Sequence, residues 1–493
     1  MPVRNHPSTS PPCCAAASDS LGTSSAVSGG GTSSDYMQAV AVDGAGTAVA
    51  AGYFSSSSAT FGGVALTSAG SNDAVLWRMN AEGTTMWAVR GGGTSNDYLY
   101  GVAVYNSNAV VATGSFYSSA TTFGGVSLTN AGRYDAVVWM LSGEGTTLWA
   151  VRGGGTSSDY MRAVAVDGAG AVLAAGYFQS SPASFGGVVL NNAGSDDAVL
   201  WKLNGEGTTL WAVRGGGTSS DYLYGVAVDG AGSVVAVGYY YGSTSTFGDV
   251  ALTNTRSDND AVLWKVNAQG STLWAVNGGG ASDAYLKGVA VDNANAVVAA
   301  GYFSGSQSTF GNVALTNTGY QNAILWKMNV EGTTLWAVRG GGTRDAFLYG
   351  VAAANANDVV AAGYFSGTSA TFGDVALTNS GTEYTSDAVL WKVTAEGTTQ
   401  WAVRVGGTGY SDKLYGVAVD YSNTVVAAGI FDSSPATFEG VNLTNTGGYD
   451  AVVWKVFNTL QPPAPPPAPM PPPSPPSPPP LPPAPPPLSG TRL

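Results

Sequence analysis

Histidine and cysteine are nearly absent from this chain of 493 residues. The one histidine, His6, and the two cysteines, Cys13 and Cys14, all lie among the first 20 residues. The rest of the chain therefore holds no Ser-His-Asp triad, no Cys-His pair and no histidine metal ligand, and it can form no disulfide. These absences exclude most hydrolase mechanisms, whereas the cysteine content leaves the cellular compartment open.

Positive charge and long apolar runs are also scarce. The chain has 19 Lys and Arg against 32 Asp and Glu, a formal net charge of −13. This balance argues against a nucleic-acid or anionic-membrane partner, because phosphate binding needs a basic surface. No run of about 18 apolar residues could span a membrane, and the first 20 residues lack the apolar core of a signal peptide.

What the chain does have is a repeat. The phrase Gly-Gly-Gly-Thr, or Val-Gly-Gly-Thr in the last copy, restarts near residues 29, 91, 153, 215, 278, 340 and 405. Each unit holds short runs rich in Val, Tyr, Phe and Trp, bounded by Gly, Asn, Asp and Ser, which predicts four strands per unit and no helix. Because these runs are apolar at nearly every position, both faces of each sheet should be covered. The sequence predicts an all-β, seven-bladed β-propeller of four-stranded blades, with an open solenoid as the alternative.

The two ends of the repeat region favour a closed ring. The last unit stops after "DAVVWKVFNTL" and lacks its fourth strand, whereas residues 23–28 near the N-terminus align with that strand. We expect this N-terminal strand to close the ring, which an open solenoid would not need. Ser25 replaces the tryptophan and Ser28 the arginine of other copies, so closure should be the weakest seam. The predicted regions are a disordered head (1–20), a propeller (21–458) and a tail (459–493).

The phrases "DYLYGVAVDGAGSVVAVGYYYGSTSTFGDVALT" and "DAVLWKVNAQGSTLWAV" resemble the SBBP-type β-propeller repeat. The resemblance covers roughly residues 21 to 457. It implies a propeller fold of a kind found mostly in bacterial extracytoplasmic proteins. It implies little about activity, because such repeats are known mainly as architecture.

The tail has a different composition, since 19 of the 25 prolines lie after residue 460. Such runs adopt polyproline II and form a semi-rigid stalk. The Ser-Pro-Pro repeats resemble hydroxyproline-rich segments of plant and green-algal cell-wall glycoproteins, which implies an extracellular or cell-wall location. Inside a cell the same tail would be a ligand for SH3- or WW-type domains, and an inert spacer is a third interpretation.

The loops differ between the two ends of the predicted ring. With the strands of a unit named a to d from the axis outward, the d–a and b–c connections lie on one face, here the long-loop face. The a–b and c–d connections are tight turns on the opposite, short-turn face. Function concentrates on long loops held by a rigid scaffold, so we expect the long-loop face to bind a protein or glycan partner.

One set of acidic residues precedes strand c in six units, with Asn322 in the remaining one. If Trp77 faces Trp87 across the c–d hairpin, Asp73 lies nearly opposite Arg90, which predicts a cross-strand ion pair on the outer rim. Equivalent pairs are expected for Asp135 with Arg152, Asp197 with Arg214 and Asp387 with Arg404. Partners are missing at Asp260 (Asn277), Asp450 (Ser28) and Arg339 (Asn322).

A second acidic set precedes strand a and should surround the mouth of the central channel. Its members are Asp35, Asp97, Asp159, Asp221, Asp283, Asp345 and Asp412. They are interpreted either as caps of their own loops or as a weak, shared Ca²⁺ or polyol site, because the innermost strands offer no compensating basic ring. The tyrosines that follow them could stack on a sugar or pack between blades. Those tyrosines are Tyr36, Tyr98, Tyr160, Tyr222 and Tyr285.

Together these features predict a monomeric, non-catalytic binding or structural scaffold with no cofactor other than weakly bound Ca²⁺. The paired tryptophans are interpreted as packing between blades. The alternative is an Asp-dependent carbohydrate-active enzyme, or a quinoprotein-like one, acting at the channel mouth. The phrase Glu-Gly-Thr-Thr-Leu-Trp resembles the tryptophan-docking motif of quinoprotein dehydrogenases, but the sequence offers no cofactor-gripping site.

Overall fold

A computed structural model describes residues 24–456 except 106–108, 255, 257 and 281. Within these residues the chain forms 42 strands and one 3₁₀ turn, Asn355–Asn357. The predicted head and tail lie outside the described residues. In chain order the strands are β1 (Ser24–Gly30), β2 (Asp35–Val42), β3 (Ala48–Phe54), β4 (Ser58–Phe61), β5 (Val64–Thr67), β6 (Asp73–Met79), β7 (Thr85–Gly93), β8 (Asp97–Tyr105), β9 (Ala109–Phe116), β10 (Ala120–Phe123), β11 (Val126–Thr129), β12 (Asp135–Ser142), β13 (Thr147–Gly155), β14 (Asp159–Val166), β15 (Val172–Phe178), β16 (Ala183–Phe185), β17 (Val188–Leu190), β18 (Asp197–Leu203), β19 (Thr209–Gly217), β20 (Asp221–Val228), β21 (Val234–Tyr241), β22 (Thr244–Phe247), β23 (Val250–Thr253), β24 (Asn259–Val266), β25 (Thr272–Gly280), β26 (Ala284–Val291), β27 (Val297–Ser304), β28 (Gln307–Phe310), β29 (Val313–Thr316), β30 (Gln321–Met328), β31 (Thr334–Gly342), β32 (Ala346–Ala353), β33 (Val359–Ser366), β34 (Ser369–Phe372), β35 (Val375–Thr378), β36 (Ser386–Val393), β37 (Thr399–Val405), β38 (Lys413–Val419), β39 (Val425–Phe431), β40 (Ala436–Phe438), β41 (Val441–Leu443) and β42 (Asp450–Val456).

The strands form the expected seven-bladed propeller. Blade 1 is the antiparallel meander β2-β3-β6-β7, and blades 2 to 6 repeat this order along the chain. The first strand of each blade lies at the axis, and side chains from all seven of these strands line one central cavity. The apolar runs explain the stacking, because strands b and c are buried on both faces against the neighbouring blades.

The N-terminal strand closes the ring, as the sequence predicts. Blade 7 consists of β38, β39 and β42 from the C-terminal end of the repeat region, with β1 as its outer strand. β1 pairs antiparallel with β42 from Ser24 opposite Val456 to Gly29 opposite Ala451. Closure therefore joins the two ends of the repeat region by a backbone ladder.

The long b–c connections are not loops, as the sequence analysis assumed, but contain a β-hairpin. In unit 1 the hairpin β4-β5 pairs with β1, the outer strand of blade 7, through Gly29 opposite Phe61. Five other hairpins likewise extend the blade that precedes their own unit, giving six-stranded sheets. The seventh hairpin, β40-β41, reaches β37 only through the bridge between Gly406 and Thr437. Each unit thus contributes strands to two blades.

Each blade holds one fully buried tryptophan on strand c. In blade 1, the Trp77 indole Nε1 donates to Thr85 Oγ1 on strand d at 2.9 Å, and the ring packs against Phe61. Five other blades repeat the indole bond to a threonine. In blade 7, the residue equivalent to Thr85 is Thr23, which lies outside the described residues. The buried tryptophans are Trp77, Trp139, Trp201, Trp264, Trp326, Trp391 and Trp454.

The tryptophans of strand d connect one blade to the next. The prediction that Trp77 faces Trp87 is wrong, because a bulge after Arg78 shifts the register and Trp77 lies opposite Ala88. Trp87 instead covers the c–d turn of blade 2, where its Nε1 donates to the Gly143 carbonyl at 2.9 Å. Four further junctions repeat this bond, from Trp149, Trp211, Trp274 and Trp336. The interpretation as packing between blades therefore applies to these residues.

A buried cation next to the strand-c tryptophan holds the short-turn face together. Lys265 lies 2.8 Å from Asp229 in the a–b turn of its own blade and 3.5 Å from the Val330 carbonyl of the next. Blade 2 lacks this pair and has Met140 and Tyr105 at the two positions. Cation and carboxylate are absent together, as expected when an unpaired buried charge would be costly.

Candidate functional site

The aspartates that precede strand c are buried on the long-loop side of the blades. Arg90 Nη1 lies 2.8 Å from Asp73 Oδ1, and the Ala69 N–H donates to Asp73 Oδ2 at 2.7 Å. The same ion pair joins Arg152 to Asp135 at 2.8 Å, Arg214 to Asp197 at 2.7 Å and Arg404 to Asp387 at 3.2 Å. The four predicted pairs are confirmed. Their predicted exposure on the rim is wrong, because all four carboxylates are buried and only the arginines are partly exposed.

Three blades depart from this pattern as predicted. Asp260 accepts hydrogen bonds from the Asn277 amide at 3.3 Å and from the Tyr240 hydroxyl instead of an arginine, and burial raises the pKa of Asp260 to about 6. In blade 5 the Arg339 guanidinium lies 3.4 Å from the Asn322 side-chain oxygen. Asp450 accepts the Thr446 N–H at 2.8 Å and no arginine stands opposite it, since Ser28 occupies that position.

The aspartates that precede strand a cap their own loops instead of facing the channel opening. Asp35 is fully buried and accepts bonds from the Gly31 N–H at 2.7 Å and Ser56 Oγ at 3.0 Å. Asp97, Asp159, Asp221 and Asp412 are equally buried and each accepts the equivalent backbone N–H. The expected ring around the channel mouth does not form from these five residues.

The set is also incomplete, because units 5 and 6 differ by one position. Ala284 and Ala346 begin strand a where the other units have the capping aspartate, and Asp283 and Asp345 lie one residue earlier. Asp283 accepts the Asn259 side-chain amide at 2.8 Å, a different role from that of Asp35. Counting from the first glycine of each phrase shows this shift, because Asp35 follows Gly29 by six residues whereas Asp283 follows Gly278 by five.

The two aspartate sets meet across the middle glycine of the Gly-Gly-Gly phrase. A Cβ placed on Gly92, whose φ is +138°, would lie 2.6 Å from Asp73 Oδ1 and 2.9 Å from Asp97 Oδ2. Burial raises the pKa of Asp97, and the nearby Asp73 charge adds to the rise. The glycine is thus required both by its backbone conformation and by the two carboxylates.

The described residues contain no group of three or more His, Cys, Asp or Glu side chains arranged to hold a metal ion. The calcium hypothesis therefore rests on the sequence alone. It stays a prediction.

Aromatic rings pack around the channel entrance on the long-loop side. Tyr36 stacks on Tyr53 at 4.8 Å between centroids, and Tyr53 meets Tyr98 of the next blade edge-on at 4.7 Å. Tyr160 and Tyr222 have equivalent contacts to Tyr177, as does Tyr285 to Tyr302. The tyrosines considered as sugar platforms thus pack against neighbouring rings within and between blades.

A group of exposed aromatic residues lies on the long-loop face near blades 5 to 7. Tyr320, Tyr384 and Tyr410 are 68%, 65% and 67% exposed. Between the first two, the Arg344 guanidinium lies 4.2 Å from the Tyr384 ring centroid and 5.9 Å from that of Tyr320. The Tyr410 carbonyl accepts the N–H of Ser386, two residues after Tyr384. We call Tyr320, Arg344, Tyr384 and Tyr410 the aromatic patch.

The aromatic patch was not predicted from the sequence, although the spacing of the repeats contains one sign of it. The last repeat spacing is 65 residues instead of 62 or 63, and the extra residues lie in the phrase "SGTEYTSD", which contains Tyr384. An insertion in one copy of a repeat marks a loop that differs from the others.

The central cavity has a volume of 230 Å³ and takes one side chain from strand a of each blade. The residues are Gln38, Tyr100, Arg162, Tyr224, Lys287, Tyr349 and Tyr415. The sequence analysis expected no compensating basic ring on the innermost strands, and two of these seven residues, Arg162 and Lys287, are cations. Aligning the repeats at this position would have revealed them, because Arg162 and Lys287 stand where four of the other units have tyrosine.

The two channel cations lie against aromatic faces. Lys287 Nζ is 3.4 Å from the Tyr224 ring centroid, and the Arg162 guanidinium is 4.2 Å from that of Tyr100 and 5.4 Å from that of Tyr224. Burial lowers the pKa of Lys287 to about 7, and the Arg162 charge adds to this effect. Neither cation has a carboxylate within ion-pair distance among the residues that the structure describes.

No protein-family model matches the chain. A region covering 35% of it is 27% identical over 191 residues to an uncharacterized WD repeat-containing protein of Acanthamoeba polyphaga mimivirus, and spans 14% of that protein. Among solved structures, the WD40 β-propeller domain of Doa1 superposes with a TM-score of 0.43 at 9% identity, covering 88% of this chain and 96% of that one. The WD40 domain of Neurospora crassa Pan2 gives 0.42 at 10% identity, with 86% and 90% covered. These values carry no functional argument, and the fold rests on the sheet topology.

No helix among the described residues is long and apolar enough to cross a membrane.

Proposed function

We propose that the chain is a non-catalytic scaffold that binds a protein partner through the aromatic patch on its long-loop face. This proposal rests on the composition and the exposure of that patch. The three tyrosines of the patch are about two-thirds exposed, and Arg344 packs against the rings of two of them, Tyr384 and Tyr320. Tyrosine and arginine are the residues most enriched where a few side chains supply most of the binding energy.

The burial of the acidic sets supports binding over catalysis. Five of the seven aspartates considered for catalysis at the channel mouth, among them Asp35 and Asp159, are fully buried and accept hydrogen bonds from loop N–H groups. A carboxylate saturated in this way is poorly placed to act on a sugar. The enzyme alternative would need these residues to leave their loops.

A glycan partner, the SBBP-type repeat and an extracellular or cell-wall location remain proposals. The last of these depends on the proline-rich tail, which lies outside the described residues. Mass spectrometry of the native tail would test it, because hydroxyproline carrying pentoses is expected of a cell-wall protein and unmodified proline is not.

The patch is tested by capture of partners on the immobilised full chain. The variant Tyr320→Ser/Tyr384→Ser/Tyr410→Ser removes the exposed rings. A matched control, Met86→Ser/Leu148→Ser/Leu210→Ser, removes three outer-strand side chains that are 54%, 56% and 54% exposed. We expect the parent and the control to retain one purified protein partner with equal affinity and the patch variant to lose it.

Equal retention by the patch variant and the control would show that the patch is not the binding surface. Retention of a glycan array component in place of any protein would contradict the proposed partner class. Turnover of a substrate that is lost in Asp97→Asn would contradict the non-catalytic assignment.

A further inference from the structure

The central channel concentrates positive charge in an acidic protein. Of seven lining side chains, two are cations and none is a carboxylate, although the chain carries 32 Asp and Glu against 19 Lys and Arg. Both cations lie against the Tyr224 ring, so one small ligand could reach both. Two like charges held together in this way repel each other without compensation from the protein.

The remaining lining groups suit an anion. Tyr100, Tyr224, Tyr349 and Tyr415 bring hydroxyl groups and Gln38 brings an amide, all of which can donate hydrogen bonds. Arg162 Nε is buried and has no hydrogen-bond partner among the described residues. Guanidinium donors match the geometry of carboxylate and phosphate oxygens, so this unused donor suits such a ligand.

The size of the cavity limits the ligand. At 230 Å³ it is smaller than the pockets of about 300–1,000 Å³ that hold drug-sized molecules. We propose that the channel binds a small dianion, with its carboxylate or phosphate-type oxygens between Arg162 and Lys287 and the tyrosine hydroxyls completing the shell. This site is separate from the aromatic patch and does not depend on the proposed scaffold function.

Binding is tested by titration calorimetry of the full chain with sulfate and with succinate. Sulfate stands in for phosphate and keeps its two charges over the whole pH range used, and neutral erythritol is the uncharged probe. We expect both dianions to bind one site and to compete with each other, with affinity reduced by about tenfold or more in Arg162→Gln and in Lys287→Gln. The control Arg133→Gln removes an exposed charge outside the cavity and should leave affinity unchanged.

The pH dependence provides an independent measurement. The groups around Lys287 come from its own blade and from three other blades. They are Arg162 on β14, Tyr224 and Tyr239 in blade 4, Tyr285 and Tyr302 in its own blade, and Tyr349 on β32 in blade 6. With its pKa lowered to about 7, the lysine is charged below that pH and neutral above it. Sulfate affinity should therefore fall between about pH 6 and about pH 8, and this fall should be absent in Lys287→Gln.

Three results would overturn the proposal. These are no detectable binding of either dianion by the folded parent, equal binding of erythritol, and equal losses in Arg133→Gln and the channel variants. Thermal unfolding of each variant shows whether it is folded, and Tyr349→Phe gives a second variant that removes only one hydroxyl. We expect Tyr349→Phe to weaken sulfate binding by about threefold.

Discussion

The junction between blades 1 and 2 and the junction between blades 7 and 1 are built from the same repeat but differ in what holds them. At the first, the Trp87 ring covers Gly145 and its indole donates to Gly143. At the second, Ser25 takes the tryptophan position and its Oγ lies 3.5 Å from where a Gly83 Cβ would be. The closing junction thus lacks the apolar cover of the regular one.

Other contacts offset part of this difference. Lys455 Nζ donates to the carbonyls of Gly46, Asn80 and Ala81 in blade 1 at 2.8–2.9 Å, whereas Lys265 reaches a single carbonyl of its next blade. The hairpin β4-β5 also adds to β1 across the junction. Ring closure therefore relies on backbone pairing, on one buried lysine and on the apolar core that Val426 and Ala428 of blade 7 share with Trp77 of blade 1.

The largest effect is expected from deleting residues 1–28. The deletion removes Ser24–Ser28, so β42 keeps only the Gly29–Ala451 pair of the closing ladder and most of this strand becomes an unpaired edge. Gly29 and Gly30 still pair with β4, but the ladder that joins the two ends of the repeat region is lost. We expect the Tm to fall by about 5–10 °C in thermal unfolding followed by circular dichroism. An unchanged Tm would mean that β1 contributes nothing to closure.

Adding a tryptophan at the closing junction and removing one at a regular junction should make each junction resemble the other. Ser25→Trp should place an indole over Gly83, with Nε1 near the Ala81 carbonyl, and gain about 1–3 kcal/mol from apolar burial. Trp149→Ser should cost a similar amount at a regular junction, because it uncovers Gly207. Denaturant unfolding measures both. Opposite signs from those stated would show that the indole does not stabilise the junction.

Restoring the missing arginine should have a smaller, pH-dependent effect. Burial raises the pKa of both Asp35 and Asp450, and no arginine compensates them at this junction. Ionisation of these carboxylates therefore costs the parent stability as the pH rises through their folded pKa values. Ser28→Arg should gain about 1 kcal/mol at neutral pH, and the gain should vanish below about pH 3, where the carboxylates are protonated in both states.

Ser28→Gln, which adds length without charge, is the control for this measurement. A gain of equal size in the control, or one that persists at low pH, would rule out the electrostatic explanation.

The smallest effect is expected from calcium. Loop N–H groups already occupy both carboxylate oxygens of Asp35 and of Asp159, so millimolar Ca²⁺ should raise the Tm of the parent over that in EDTA by less than about 2 °C. A larger rise that Asp97→Asn/Asp221→Asn loses would support a calcium site. Equal responses of the parent and this variant would leave loop capping as the only role of these residues.

Features that follow from the spacing of the repeats and from apolar runs could be predicted from the sequence, and features set by a local register shift or by pairing between units could not. The strands, the seven blades and the closing strand follow from spacing and apolar runs. The bulge after Arg78 shifts the register by a single residue and leaves no mark in hydrophobicity. The Asp73–Arg90 pair was predicted correctly despite the wrong register, because diagonal neighbours on one face of a sheet are still within reach of an arginine side chain.

The hairpins and the channel were hidden for different reasons. The stretch around "TFGGVALT" is short and rich in Ser, Thr and Gly, and its pairing partner belongs to the preceding unit, so no local pattern reveals it. The channel position changes its residue type from unit to unit, as from Gln38 to Arg162 to Tyr415. A search for repeated residues overlooks a site built from the variable ones.

In six units the b–c hairpin pairs with the outer strand of the preceding blade, so neighbouring units are interlocked around the ring. A cut in the a–b turn at Ala45, for example, would leave β2 on one fragment and β4-β5 on the other, yet both fragments would retain strands in blades 7 and 1. None of the six-stranded sheets is built from a single unit, whereas the four-stranded sheet of blade 6 is. A nicked molecule should therefore stay assembled under native conditions, and gaining or losing one blade requires a change in two neighbouring sheets at once.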